Sequence, residues 1–141
     1  MSDLDFANVV NQLIEKYVAS HSQADRDTQL AANYRLLPVS FQPSGAFTAS
    51  RYGLSPAGEM FYWTWYYEPA APPKAISEKH LRHAAMWHAT DEYPELALFR
   101  PTRTNESVTC YQCHGSGHSG ITGELDYGEL PCVCGGSGWL P

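Results

Sequence analysis

Four cysteines are the residues of this chain best suited to chemistry: Cys110, Cys113, Cys132 and Cys134. They come as two close pairs, and each pair runs into nearly the same phrase. Cys113-His114-Gly115-Ser116-Gly117 recurs as Cys134-Gly135-Gly136-Ser137-Gly138. Thiolates are soft donors, and four of them around one Zn²⁺ complete a closed tetrahedral site. The glycines suit that chemistry. The backbone must fold back tightly enough for its amides to face sulfur, which demands positive φ angles that glycine adopts without steric cost.

Two disulfides are the competing arrangement. Such staples belong to small secreted domains, and the acidic start Met1-Ser2-Asp3-Leu4-Asp5 lacks the basic region of a secretory signal. The expectation is therefore a cytoplasmic chain holding one structural zinc ion. The second pair, Cys132-Val133-Cys134, is one residue short of C-x-x-C, with Pro131 where the missing cysteine would stand. Its bite is wider and more strained, so His114 or His118 is the alternative to Cys132 as fourth ligand.

Cys110-Tyr111-Gln112-Cys113-His114-Gly115-Ser116-Gly117 and Cys134-Gly135-Gly136-Ser137-Gly138 resemble the C-x-x-C-x-G-x-G repeats of the DnaJ-type cysteine-rich domain. The likeness is confined to the C-terminal stretch and to two half-repeats, where that family carries four repeats and two zinc ions. It implies one zinc, a short β-hairpin and a surface that contacts protein. The His-Pro-Asp tripeptide that marks a J domain is absent from the sequence, so a complete co-chaperone of that kind is not expected.

Other constellations are weaker. His80, His83 and His88 crowd one region with Glu78 and Glu92, and His80 and His83 share a helical face at a spacing that bis-histidine metal sites use. H-E-x-x-H is not formed, and Glu78 with Arg82 reads as an ordinary i,i+4 pair. Gly53-Leu54-Ser55-Pro56-Ala57-Gly58 is only a loose nucleophile elbow, because its fifth position is alanine and Pro56 removes the amide an oxyanion hole needs. It reads as a turn. No glycine-rich phosphate loop follows a strand. A four-thiolate zinc has no open position for water, so the expectation is a chain that is not an enzyme.

The elements that must position these groups fall into two parts, residues 1–103 and 104–141. Phe6, Val9, Val10, Leu13, Ile14, Tyr17 and Val18 repeat at three- and four-residue steps and predict a helix over 2–20. A second helix is expected over 25–37, stopped by Pro38. Short strands are expected over 39–41 and 46–48, and a strong aromatic strand over 61–67. Further helices follow over 77–90 and 95–99, the latter entered at Pro94. Residues 101–107 read as a polar linker. The stretch between the cysteine pairs, Gly120 to Gly128, has the alternation of a hairpin, and Trp139 is placed to pack on the knuckle or to dock the tail on the main body. The fold class is α+β: helices on a small antiparallel sheet, with a zinc-knuckle β-hairpin at the C-terminal side.

Charge narrows the partners. The chain of 141 residues has 9 basic against 15 acidic side chains, a net charge of −6, and a 43% hydrophobic composition that supports a real core. No basic residue follows Arg103, so the tail has little with which to neutralise phosphate. Nucleic acid is a poor partner and a basic protein a better one. No apolar run approaches the roughly 18 residues a membrane helix needs. The expected function is stoichiometric binding of a basic protein, as an inhibitor or immunity-type protein. The alternative is an adaptor or chaperone-like module whose zinc hairpin holds extended peptide. Arg51, Tyr62 and Tyr66 are the candidate contact residues, while the aromatic strand over 61–67 reads equally as core packed on both faces.

Overall fold

The amphipathic pattern at the start becomes α1, Asp3–Ser20, in a computed structural model that describes residues 3–20, 26–41, 50–64, 72–122 and 129–141. Val10, Leu13 and Ile14 are buried, and the Ser20 hydroxyl turns back to the Lys16 and Tyr17 carbonyls at 3.0 Å each, closing the last turn. α2 covers Arg26–Asn33. It ends four residues short of the expected boundary at Leu37. The amide of Leu36 reaches back to the Ala31 carbonyl at 2.8 Å, and Arg35 takes a left-handed φ of 54° that stops the helix before Pro38 is reached.

Leu37 therefore opens a strand instead. β1 (Leu37–Val39), β2 (Ser50–Leu54), β3 (Met60–Thr64) and β4 (Lys74–Ala75) form one antiparallel sheet in that spatial order. Pro38 lies inside β1 opposite Gly53, a position open to proline because β1 is an edge strand. β1 begins two residues earlier than the expected strand over 39–41, and β2 replaces part of what reads in sequence as a turn. The turn itself is tighter, with the Ser55 carbonyl accepting from Gly58 and its hydroxyl accepting from the Glu59 amide. The Ser55 oxygen thus serves the turn. The expected strand over 46–48 and residues 65–67 lie outside the described residues.

Register decides what each sheet face covers. Tyr52 pairs with Tyr62 and Leu54 with Met60, so these four share one face. Tyr52, Leu54 and Met60 pack there with Val10, Leu13 and Ile14 of α1, with Phe41, and with Ala85 and Ala89. Trp63 points the other way and is buried with Leu36 and with Ala31 of α2. Helices thus pack on both faces, with Met60 and Trp63 buried on opposite sides of β3 while Tyr62 stays partly exposed.

α3 runs Lys79–Glu92, two residues later than expected at each end. Its start is set by Glu78, whose carboxylate accepts from the His80 amide at 2.9 Å and from the Leu81 amide. Glu78 is a helix cap, not the i,i+4 partner of Arg82. A 3₁₀ helix, Pro94–Phe99, follows with proline in its first turn, and Leu96 is buried against the core. In the tail, β5 (Val108–Thr109) pairs with β8 (Trp139–Leu140), and β6 (His118–Thr122) pairs with β7 (Glu129–Pro131) as the expected hairpin. Residues 123–128 lie outside the described residues.

Candidate metal centre

The two cysteine pairs are brought together by two tight turns of the same shape. In the first, the Cys110 carbonyl accepts from His114 and the Cys113 carbonyl from Ser116; in the second, the Cys132 carbonyl accepts from Gly135. Equivalent positions repeat their backbone angles, with φ of 92° and 81° at Gly115 and Gly117 and of 102° and 83° at Gly136 and Gly138. The turns then press back to back. A Cβ at Gly117 would lie 2.7 Å from the Gly136 carbonyl oxygen, and one at Gly138 would lie 2.7 Å from that of Gly115. This reciprocal contact is the structural content of the sequence repeat.

All four sulfurs converge. Cys110 Sγ lies 3.6 Å from Cys132 Sγ, Cys113 Sγ lies 3.8 Å from Cys134 Sγ, and the four atoms lie within 4.8 Å of one another. Each close contact joins one sulfur from either pair. The edge of a tetrahedron with sulfurs about 2.3 Å from its centre is about 3.8 Å, so the spacing fits a single ion. The cysteines are free thiols rather than disulfides, and all are buried. The Cys132-Val133-Cys134 bite reaches the cluster, and the exposed His114 and His118 are not part of it. Gln112 helps set that bite, since its side-chain oxygen accepts from the Val133 amide at 3.0 Å.

Electrostatics point the same way. Burial pushes the Cys113 thiol up, but amides of Gly117 and Gly115, with the neighbouring Cys110 and Cys132 thiols, bring it down to about 7. Cys132 is pushed far up, first by burial and then by crowding from the other thiols, and burial raises Cys110 as well. Cys113 ionises readily while Cys110 and Cys132 resist, because a dry pocket cannot hold several negative charges unaided. A cation at the centre removes that conflict. Four buried cysteines at metal-binding distance are thus suited to a structural metal ion, and among the described residues they are the constellation of three or more potential ligands that converges.

The second knuckle is seated on α3. A Cβ on Gly135 would stand 2.1 Å from the Ala84 carbonyl oxygen, so the knuckle backbone lies directly on the helix. The His83 ring lies 4.3 Å from the Trp139 ring, and Trp87 meets Trp139 edge-on at 6.1 Å. Ser137 Oγ lies 2.7 Å from the Trp139 carbonyl, to which it donates, leaving the oxygen to accept from His83 Nε2 at 2.9 Å. Trp139 is the docking residue its position suggests. His83 is a buried anchor while His80 is exposed, so the two do not form a bis-histidine site.

This anchor makes stability pH-dependent. Burial holds the His83 pKa below the ordinary histidine value, outweighing the Trp139 carbonyl that favours its charged form. The folded state thus binds fewer protons than the unfolded state near pH 6. The stability that His83 contributes is present above its ordinary pKa and is lost as pH falls through the depressed one. Denaturation of the wild type and of His83→Gln between pH 7.5 and 5.5 is expected to show a steeper acid-side loss in the wild type. Parallel curves would remove His83 from this role.

Arg51, Tyr62 and Tyr66 do not assemble as one described surface. Arg51 sits opposite Trp63 on the α2 face, where its Nε bonds Asp27 Oδ2 at 3.0 Å, and Trp63 Nε1 lies 3.5 Å from Asp27 Oδ1. Tyr62 is on the other face and is 38% exposed. Tyr66 lies outside the described residues. The Asp27–Arg51 pair was not visible in sequence, because α2 and β2 are separated by a long stretch of chain. No family model, curated protein or solved structure matches the chain, so its function must be argued from its own geometry.

Proposed function

We propose that this chain is a non-catalytic protein-binding protein whose tail is built around one structural zinc ion, and that it acts on a more basic partner as an inhibitor or immunity-type protein. The observation that carries this reading is the closed set of four buried sulfurs. A metal held by Cys110, Cys113, Cys132 and Cys134 has no vertex left for water or substrate, so it serves folding rather than reaction. Four thiolates favour zinc or an iron–sulfur cluster, and the spacing of the sulfurs supports a single ion. The net charge of −6 supports a basic partner, because complementary potentials steer association and screen out like-charged proteins.

A second reading has its own observation. β5 pairs with β8 along one edge, and beside it Val108 and Tyr111 are 54% and 70% exposed, an apolar strip next to open strand. An adaptor that adds an extended peptide to β5 would use that edge. Affinity capture on the full chain from native lysate, at low and at high salt, separates the two. The inhibitor reading expects one stoichiometric basic partner, released by salt. Recovery of many unrelated extended clients, with suppression of their aggregation, would favour the adaptor. Recovery of no stable partner at low salt would count against both.

A further inference from the structure

Where the second knuckle meets α3, the surface opens into a hollow of about 320 Å³, which is at the small end of ligand-binding cavities. Its lining is mixed and comes from both parts of the chain: Met60 from β3, His83 and Met86 from α3 and Trp139 from the tail, with Thr104 and Ser107 beside them. Its rim carries Lys79 and Arg82, one helical turn apart on α3, together with the Thr102 hydroxyl.

That pair of cations is not neutralised within the described residues, and neither are Lys74 and Arg103, which do not line the hollow. The chain has an excess of acid, and Arg35, Arg51 and Arg100 are each held by a carboxylate, from Glu15, Asp27 and Asp91. Lys16 is likewise paired, with Glu95 at 3.7 Å. Lys79 and Arg82 have no such side-chain partner among the described residues, although both lie on the first turn of α3. The nearest acid in sequence, Glu78, is committed to the amides of His80 and Leu81. Two cations without a carboxylate partner among the described residues and a threonine thus border one hollow that an indole and two thioethers also line. That combination takes an anion at its rim and a flat apolar body beneath it. Arg82 offers a planar fork to a carboxylate or phosphate, Lys79 a point charge, and Trp139 an apolar contact.

We propose that this hollow binds a small organic acid: a compact apolar or aromatic body carrying one carboxylate or phosphate, held by Lys79 and Arg82 and seated against Trp139. The site exists only while the tail is docked, since Trp139 supplies one wall and α3 supplies the charges. It is distinct from the sulfur cluster and does not depend on which protein the chain binds.

The test is titration of the full chain, followed by NMR at the Trp139 indole N–H and the Arg82 guanidinium, with four probes: phenyl phosphate, phenylacetate, inorganic phosphate and benzylamine. Phenyl phosphate or phenylacetate is expected to shift both signals with a dissociation constant below about 1 mM. Whichever binds tighter identifies the anion. Inorganic phosphate, lacking the ring, is expected to bind about tenfold more weakly, and benzylamine not at all. Arg82→Gln and Lys79→Gln are each expected to weaken binding by about tenfold, the loss of one charge-assisted hydrogen bond. Lys74→Gln, an exposed lysine on β4 away from the hollow, is expected to change nothing. The proposal is overturned if neither acid moves the Trp139 signal, if binding is indifferent to both rim substitutions, or if benzylamine binds as well as the acids.

Discussion

Stripping the metal from this chain, or replacing Cys132 by serine, is expected to unfold the tail and leave the helices and the four-stranded sheet intact. The reason is the composition of the tail's interior. Among the described side chains its buried cluster consists of Cys110, Cys113, Cys132, Cys134 and Leu140, with Val133 partly covered. One buried leucine is worth roughly 1.5–3 kcal/mol. Fixing each backbone residue costs about 1–2 kcal/mol, and the tail must fix some thirty of them. Apolar burial alone falls far short. A structural zinc contributes on the order of 10 kcal/mol in segments of this size, and contact with α3 adds to it. The body is different, because Val10, Ile14, Leu37, Phe41, Leu54 and Met60 close a core that contains no cysteine. Amide NMR before and after chelation should therefore show loss of dispersion confined to the tail, restored by zinc in the wild type and not in Cys132→Ser. Unfolding of the whole chain, or an unchanged spectrum, would contradict this division.

Gly135→Ala is expected to detach the tail from α3 while leaving the sulfur cluster assembled, at a loss of about 2–4 kcal/mol in stability. Two causes are separable here. Gly135 has φ of 75°, but the equivalent position in the first knuckle is His114 with φ of 54°, so the turn tolerates a side chain in that conformation. Left-handed strain alone costs about 1–2 kcal/mol. The larger effect is contact. The added methyl would stand 2.1 Å from the Ala84 carbonyl oxygen, which is helix backbone and cannot rotate away. The knuckle must lift, taking Ser137 and Trp139 off His83 and Trp87. Metal content is expected to stay at wild-type level while the Trp139 indole signal moves to a solvent-exposed position. Retention of the His83–Trp139 contact in the variant would show that the helix yields instead.

The parts of this fold that were legible in sequence are those in which one local signal dominates. The stripe of α1 and the proline-led 3₁₀ helix rest on such signals, and so does the repeated cysteine–glycine phrase. α3 was also found, although its cap was not. The sequence places its start at residue 77, whereas Glu78 holds the first amides. The end of α2 was misplaced because Pro38 is a strong stop signal, while the actual stop is the conformation of Arg35, a residue with no special preference for it. β2 was hidden by its own composition. Ser50, Arg51 and Gly53 are weak strand formers, and the strand exists because β1 and β3 pair with it on both sides.

The site divides along the same line. The four candidate ligands follow from spacing, and their sulfurs converge despite the short Cys132-Val133-Cys134 bite. The seat of the knuckle on α3 was only half visible. Trp139 suggested it, but Ala84, His83 and Ser137 give no local signal, since an alanine carbonyl becomes a landing surface only when a glycine from a distant turn arrives on it. Arg51, a candidate contact residue in the sequence, is paired with Asp27.

X-ray absorption at the zinc edge of the full chain, with metal content determined on the same sample, addresses the metal reading most directly. The expected spectrum is that of one zinc per chain with a shell of four sulfurs at about 2.3 Å. A nitrogen or oxygen scatterer in that shell, or zinc well below one equivalent in a folded protein, would contradict it.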